Sequence, residues 1–197
     1  MNTVQIPSQR WTYRDYLQLD DAQRHEILNG MLHTLPAPDL MHQRVVRELS
    51  VSLWDFVRKH QCGEVFWSPV DVILGAEQDT VVQPDVVYVA SGSKRRLLRK
   101  RGIFGPPQLV IEVISPATIS RDRTEKHALY EAAGIAEYWL IDASNRKGEV
   151  FALSHSGAHS RFELFSQVVL RDIEAGTLNS KILPGWSVDL RKILSVS

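Results

Sequence analysis

The 197-residue sequence predicts a mixed α/β fold, one sheet flanked by helices, and three observations carry that prediction. Between Leu40 and His60 apolar residues recur at three- and four-residue steps, the spacing of an amphipathic helix. Leu109-Val110-Ile111-Glu112-Val113-Ile114 is almost continuously apolar, as a central strand buried on both faces is. A helical stretch from Ser120 to Ala133 then leads into the strand Glu137 to Asp142, the alternation of α/β chains.

Each element follows from local chemistry. Residues 12–28, TYRDYLQLDDAQRHEIL, read as one or two short helices with Thr12 as the N-cap. Asn29-Gly30 is a turn signal, and MLHTLPAP after it reads as a short strand ended by prolines. This reversal sets Glu26 near the start of the sheet. In the long helix Val45, Val46, Leu49, Leu53, Phe56 and Val57 form the apolar stripe, and Cys62-Gly63 ends it. EVFWSPVDVIL gives one or two strands around Pro69, and Gly75 to Asp79 is a turn. VVQPDVVYVA is a further strand with Pro84 at its entry or in a bulge. Gly134 closes the helix from Ser120. GEVFALSHS, SRFELFS, VVLRDI and WSVDL alternate and turn like an antiparallel meander with a short final helix. No repeat or low-complexity segment divides residues 1–197, which read as a single domain.

Composition narrows the function. With 44% hydrophobic and 23% charged residues the chain is globular rather than disordered. The lone Cys62 excludes an internal disulfide and a CxxC zinc cluster, and points to a reducing, cytoplasmic setting. No apolar run approaches the roughly 18 residues of a membrane span. MNTVQIPSQRW lacks the basic-then-apolar pattern of a secretory leader. Lys and Arg total 23 against 23 Asp and Glu, so a general polyanion-coating role is excluded. Placement differs from the sum, however. Lys94, Arg95, Arg96, Arg99, Lys100 and Arg101 fall within eight residues, leaving a matching excess of acid elsewhere.

Glu112 is the sharpest single feature, because an unpaired carboxylate buried in that strand costs several kcal/mol. A cation, a proton or a basic side chain must balance it, in a functional site or in a structural ion pair. Asp85 follows Pro84 at the start of another apolar strand. Alone it reads as a turn residue; with Glu112 it forms a hard-oxygen pair suited to Mg²⁺ or Mn²⁺. Strand alternation puts residue 114 on the same side as Glu112, but it is Ile. The next ammonium is Lys126, for which the residues alone favour an exposed i,i+4 pair with Asp122 over a role in the site; Tyr130 shares that helix face. No GxxxxGKS loop or GxSxG elbow supports an NTP-driven enzyme or a serine hydrolase.

The strings PDVVYV, PxLVIEVISP, DRxxKxxxY and AGIxEYWLID, with the upstream HEILNG and the helix of His42, resemble the Uma-type family of putative restriction endonucleases. That family belongs to the PD-(D/E)XK nuclease-like superfamily, and the resemblance covers about residues 10–145. It implies a restriction-endonuclease-like core with an antiparallel C-terminal strand extension. It implies Asp85, Glu112 and the Val113 carbonyl as ligands of Mg²⁺ (or Mn²⁺), with Lys126 in the place of a displaced catalytic lysine. Glu26 and His42 are implied as accessory groups, an added acid and a hydrogen-bond donor or base.

The expected function is metal-assisted hydrolysis of phosphodiester bonds in DNA, with the segment Lys94 to Arg101 on phosphates beside the site. A catalytically inactive nuclease fold that binds DNA or a protein partner is the alternative. A hydrolase of another phosphate ester is a third reading. A homodimer, by analogy with enzymes that cut both strands, completes the expectations.

Overall fold

A computed structural model describes residues 10–115, 118–157, 159–170 and 176–195. Pro116 of the quoted motif, residues 171–173 of the expected VVLRDI strand and the first nine residues lie outside that set.

Helix α1 spans only Tyr13–Tyr16, where the Asp15 carboxylate accepts from the Thr12 backbone N–H at 2.9 Å. Residues 24–28, expected to be helical, are strand β1 (Arg24–Leu28). Asn29 and Gly30 adopt φ of 49° and 83°, a two-residue hairpin turn, and Leu28 pairs with Met31 at the start of β2 (Met31–Leu35). Pairing across the chain decides this segment, since Ile27 also pairs with Val81. Helix α2 (Leu40–His60) is as expected. Asp39 caps it by accepting from the His42 backbone N–H at 2.7 Å, and Val45, Leu49, Leu53 and Val57 are buried.

Strands β3 (Gly63–Trp67) and β4 (Val72–Leu74) lie either side of Pro69. The run VVQPDVVYVA is two strands, β5 (Thr80–Val82) and β6 (Val86–Ala90), in different sheets. Pro84 has no N–H to give a ladder, so the chain crosses between sheets there. The basic segment forms helix α3 (Lys94–Leu97) and the hairpin of β7 (Leu98–Arg99) and β8 (Gly102–Phe104). Next come β9 (Leu109–Ile114), α4 (Ile119–Arg121), a π-turn over Asp122–Lys126, and α5 (His127–Ala133), ended by Gly134 at φ 79°. Strand β10 (Glu137–Asp142) and the long hairpin of β11 (Lys147–Ser156) and β12 (His159–Val169) complete the main sheet. A small ribbon of β13 (Thr177–Asn179) and β14 (Ser187–Asp189) precedes α6 (Leu190–Leu194).

The expected single sheet is therefore corrected to two six-stranded mixed sheets and a two-stranded ribbon. The central sheet has the order β12-β11-β10-β9-β6-β3, with β9 and β10 parallel and its other pairs antiparallel. The second has the order β2-β1-β5-β4-β8-β7. Along β9, Leu109, Ile111 and Val113 pack with α2, whereas Val110 and Ile114 pack with α5 and the second sheet. The result is three layers, with β9 buried on both faces. No helix among the described residues is long and apolar enough to cross a membrane.

Candidate active site

Alternation along β9 points Glu112 to the same side as Val110 and Ile114, beneath the helix that follows. Ile114 is core there, and the ammonium comes from Lys126 on the π-turn. Its Nζ lies 3.0 Å from Glu112 Oε1, 2.8 Å from Glu26 Oε1 and 3.7 Å from Asp122 Oδ1. All four side chains are nearly inaccessible: Lys126 is 4% exposed, Glu112 4%, Asp122 2% and Glu26 0%. An exposed i,i+4 pair is thus ruled out, because Lys126 is buried and its closest partners come from other elements. Tyr130, one turn further on, donates its hydroxyl to Glu112 Oε1 at 2.7 Å. Oε1 takes both bonds, and Glu112 Oε2 carries none among the described residues.

Asp85 stands at the sheet crossover, next to Val86, which pairs with Ile111. Its Oδ2 accepts from the Val113 backbone N–H at 2.8 Å, and its Oδ1 lies 3.0 Å from His42 Nε2. The two acids flanking the cleft are thereby tied to one strand. Glu26 reaches the site from β1, and its Oε1 also accepts from the Gln83 N–H at 2.8 Å. Buried Glu26 Oε2 and His42 Nδ1 have no partner among the described residues.

The electrostatics follow from three acids sharing one ammonium. Burial pushes Glu112 well above the usual carboxylate range; Lys126 opposes this, and Asp122, Asp85 and Glu26 reinforce it. Burial likewise raises Asp122 against the pull of Lys126. Burial pulls the lysine down, but Glu112, Glu26 and Asp122 outweigh it and hold Lys126 above the ordinary lysine value. Excess negative charge favours a proton on the lysine and on Glu112 alike, so the two directions agree. For His42 burial is again opposed, by the hydrogen bond and charge of Asp85, and the net shift is upward.

Glu26, His42, Asp85, Glu112, Val113 and Lys126 all line one cavity of about 270 Å³. Five acids border it against two permanent cations, Arg24 and Lys126. Among the described residues no group of three His, Cys, Asp or Glu forms a ready-made cation site. The donors fit a lighter requirement. Mg²⁺ is commonly held by one or two carboxylates with water and substrate oxygens, and Asp85, Glu112 and the Val113 carbonyl are hard oxygen donors. The partnerless Glu26 Oε2 adds a buried acceptor in the same cluster.

The six basic residues do not enter this cavity. Lys94, Arg95 and Arg96 lie on α3, Arg99 on β7 at the edge of the second sheet opposite β2, and Lys100 and Arg101 in the turn after it; Lys94 pairs with Glu64 at 2.8 Å. Arg99, Lys100 and Arg101 line a separate groove that shares Gln83 with the acidic cavity. Sequence reasoning missed Arg24 in the cavity and read Asp122 and Tyr130 only as neighbours of Lys126. The spacing Asp122, Lys126, Tyr130, each four residues apart, was the available signal for the latter two.

The chain is thus a mixed α/β fold with buried acids and a lysine from the π-turn after β9 around one cleft. The chain belongs to the family described as Uma2, "Putative restriction endonuclease", whose model matches residues 13–191, and that membership supports a nuclease-type function. It is also similar in fold to a crystal structure described as a putative nuclease belonging to DUF820 from Anabaena variabilis ATCC 29413. The TM-score is 0.72 at 17% identity, over 94% of this chain and 98% of that one. No curated protein matches the sequence.

Proposed function

We propose that this chain is a Mg²⁺- or Mn²⁺-dependent endodeoxyribonuclease working at the cavity of Asp85, Glu112 and Lys126. The observation that carries the reading is the buried Lys126 ammonium 3.0 Å from Glu112, in a cleft that Asp85 also lines. Asp85, Glu112 and the Val113 carbonyl would hold the cation. When bound, such an ion polarises a phosphate and acidifies a water.

The protein groups have distinct tasks. His42 and the Val113 N–H occupy one oxygen of Asp85 each, fixing the carboxylate plane. Tyr130 and Lys126 hold Glu112 from one side, through Oε1. Lys126 stays protonated at neutral pH, since its acids hold its proton, so it acts as a donor to charge developing on the phosphate rather than as a base. Glu26 anchors the ammonium from beneath. Arg95, Arg96, Arg99, Lys100 and Arg101 would contact backbone phosphates away from the cut, with Lys94 partly spent on Glu64. A homodimer pairing two sites for two strands, in a reducing cytoplasm compatible with the free Cys62, belongs to the same reading.

A second reading rests on the same lysine. Three acids already neutralise part of their charge on Lys126, as a retired active site would, leaving a non-catalytic nuclease fold that binds DNA or protein. Nicking of supercoiled plasmid separates the two. Wild type should nick with Mg²⁺ or Mn²⁺, and Glu112→Gln should not, while retaining its circular dichroism spectrum. Equal cleavage by both overturns the assignment; DNA binding by wild type without cleavage under either metal establishes the second reading instead.

A further inference from the structure

Arg24 lies two residues before Glu26 on β1, so both side chains project to the same side of the second sheet, and both line the acidic cavity. Its Nε donates to Gln83 Oε1 at 3.0 Å and one terminal nitrogen donates to Ser68 Oγ at 2.6 Å. Both acceptors are neutral. Among the described residues Arg24 makes no ion pair, whereas Lys126, the other permanent cation of the cavity, faces three carboxylates.

The geometry of those two bonds matters. A guanidinium carries five N–H donors in a planar fork, and Nε with the nearer terminal nitrogen makes up one edge of it. Gln83 and Ser68 engage Nε and one terminal nitrogen and hold the plane, leaving the other terminal nitrogen without a protein acceptor among the described residues. Gln83 is itself held: its side-chain amide donates to Tyr16 Oη and Asp71 Oδ1, both at 3.0 Å. The guanidinium is therefore braced by a network that continues to the groove of Arg99, Lys100 and Arg101. A fixed guanidinium with no carboxylate partner among the described residues, lining a cavity otherwise rich in acid, suits an oxyanion, carboxylate or phosphate, bound by its remaining N–H donors, and on the nuclease reading that oxyanion is a phosphate.

We propose that Arg24 is a substrate-binding residue that clamps a backbone phosphate of the nucleic acid. Gln83 and Ser68 act as its positioning residues, and Gln83 links this phosphate site to the basic hairpin groove. The inference rests on the nuclease reading above for its ligand, but it concerns binding and is measurable without turnover. Arg24, Glu112 and Lys126 line the same cavity, so a phosphate held on Arg24 keeps the strand at the candidate site. Arg24 thereby also relieves the repulsion that five acids exert on a polyanion.

Binding of a fluorescent oligonucleotide, in Ca²⁺ to hold off any cleavage, tests the assignment with Arg24→Gln, Arg24→Lys and the exposed control Arg161→Gln. The expected result is a tenfold to hundredfold weaker Kd for Arg24→Gln, on the order of one charge-assisted hydrogen-bonded contact. Arg24→Lys should recover only part of it, because an ammonium lacks the fork, and Arg161→Gln should match wild type. If wild type cleaves, KM should rise with Arg24→Gln more than kcat falls. Equal affinity of Arg24→Gln and wild type, or equal loss with Arg161→Gln, overturns the assignment. Wild type that never cleaves but loses affinity with Arg24→Gln upholds Arg24 and overturns hydrolysis. Unfolding midpoints of the variants distinguish a lost contact from a lost fold, and a folded Arg24→Lys suffices should Arg24→Gln fail to fold.

Discussion

Lys126→Met keeps an unbranched side chain one atom shorter and removes the charge around which Glu26, Glu112 and Asp122 are arranged. The ammonium contacts these acids at 2.8, 3.0 and 3.7 Å, and all are almost fully buried, so water cannot take its place cheaply. Removing one partner of a buried ion pair costs about 3–5 kcal/mol. In a chain of this size each kcal/mol moves the Tm by roughly 2–4 °C, so the fall should be on the order of 10 °C at neutral pH. The pH dependence has a definite sign. Glu112 and Asp122 titrate above their ordinary values in the fold, and raised groups contribute stability that is present at low pH and lost as pH rises through the folded value. Without Lys126 both rise further, so the deficit should be largest at neutral and alkaline pH and shrink toward the ordinary carboxylate range near about 4. Wild type keeps its lysine contribution throughout, since that pKa is raised and its contribution is lost only in strong alkali. Thermal melts from acid to pH 8.5 provide the readout, with and without Mn²⁺, which should restore part of the loss by binding the freed acids. A Tm equal to wild type at neutral pH, or a deficit that does not change with pH, would refute the reasoning.

Neutralising Arg95, Arg96, Arg99 and Lys100 should lower the slope of log Kd for DNA against log salt by up to about four, and an unchanged slope would make the segment ordinary surface. Cation affinity should rise with pH well past the range of ordinary carboxylates, because burial makes Glu112 hold its proton; calorimetric titrations with Mg²⁺ at several pH values check this, and a flat profile counts against Glu112 as a ligand.

What could be read in advance tracks how local each cause is. Glu112 was visible because one acid interrupts an apolar run, and the α2 stripe because its period is local. Strand β1 was not visible, since Arg24-His25-Glu26-Ile27-Leu28 has no clean alternation and takes its shape from pairing with Val81 across the fold. Pro84 announced a break, but not that its two flanks would join different sheets and open a cavity between them. Ile114 signalled that the acid-x-lysine pattern was absent. That Lys126 reaches Glu112 depends on a π-turn that places Asp122 and Lys126 in the interior, which nothing local in Asp-Arg-Thr-Glu-Lys encodes. Arg24 was illegible for the same reason, its partners Ser68 and Gln83 being 44 and 59 residues away.

The central claim is that Asp85 and Glu112 hold a divalent cation beside Lys126. Anomalous diffraction from crystals soaked in Mn²⁺ tests it most directly. The account predicts one peak within coordination distance of both carboxylates, absent from Glu112→Gln crystals; a cavity without that peak, or a peak that survives the substitution unchanged, would contradict it.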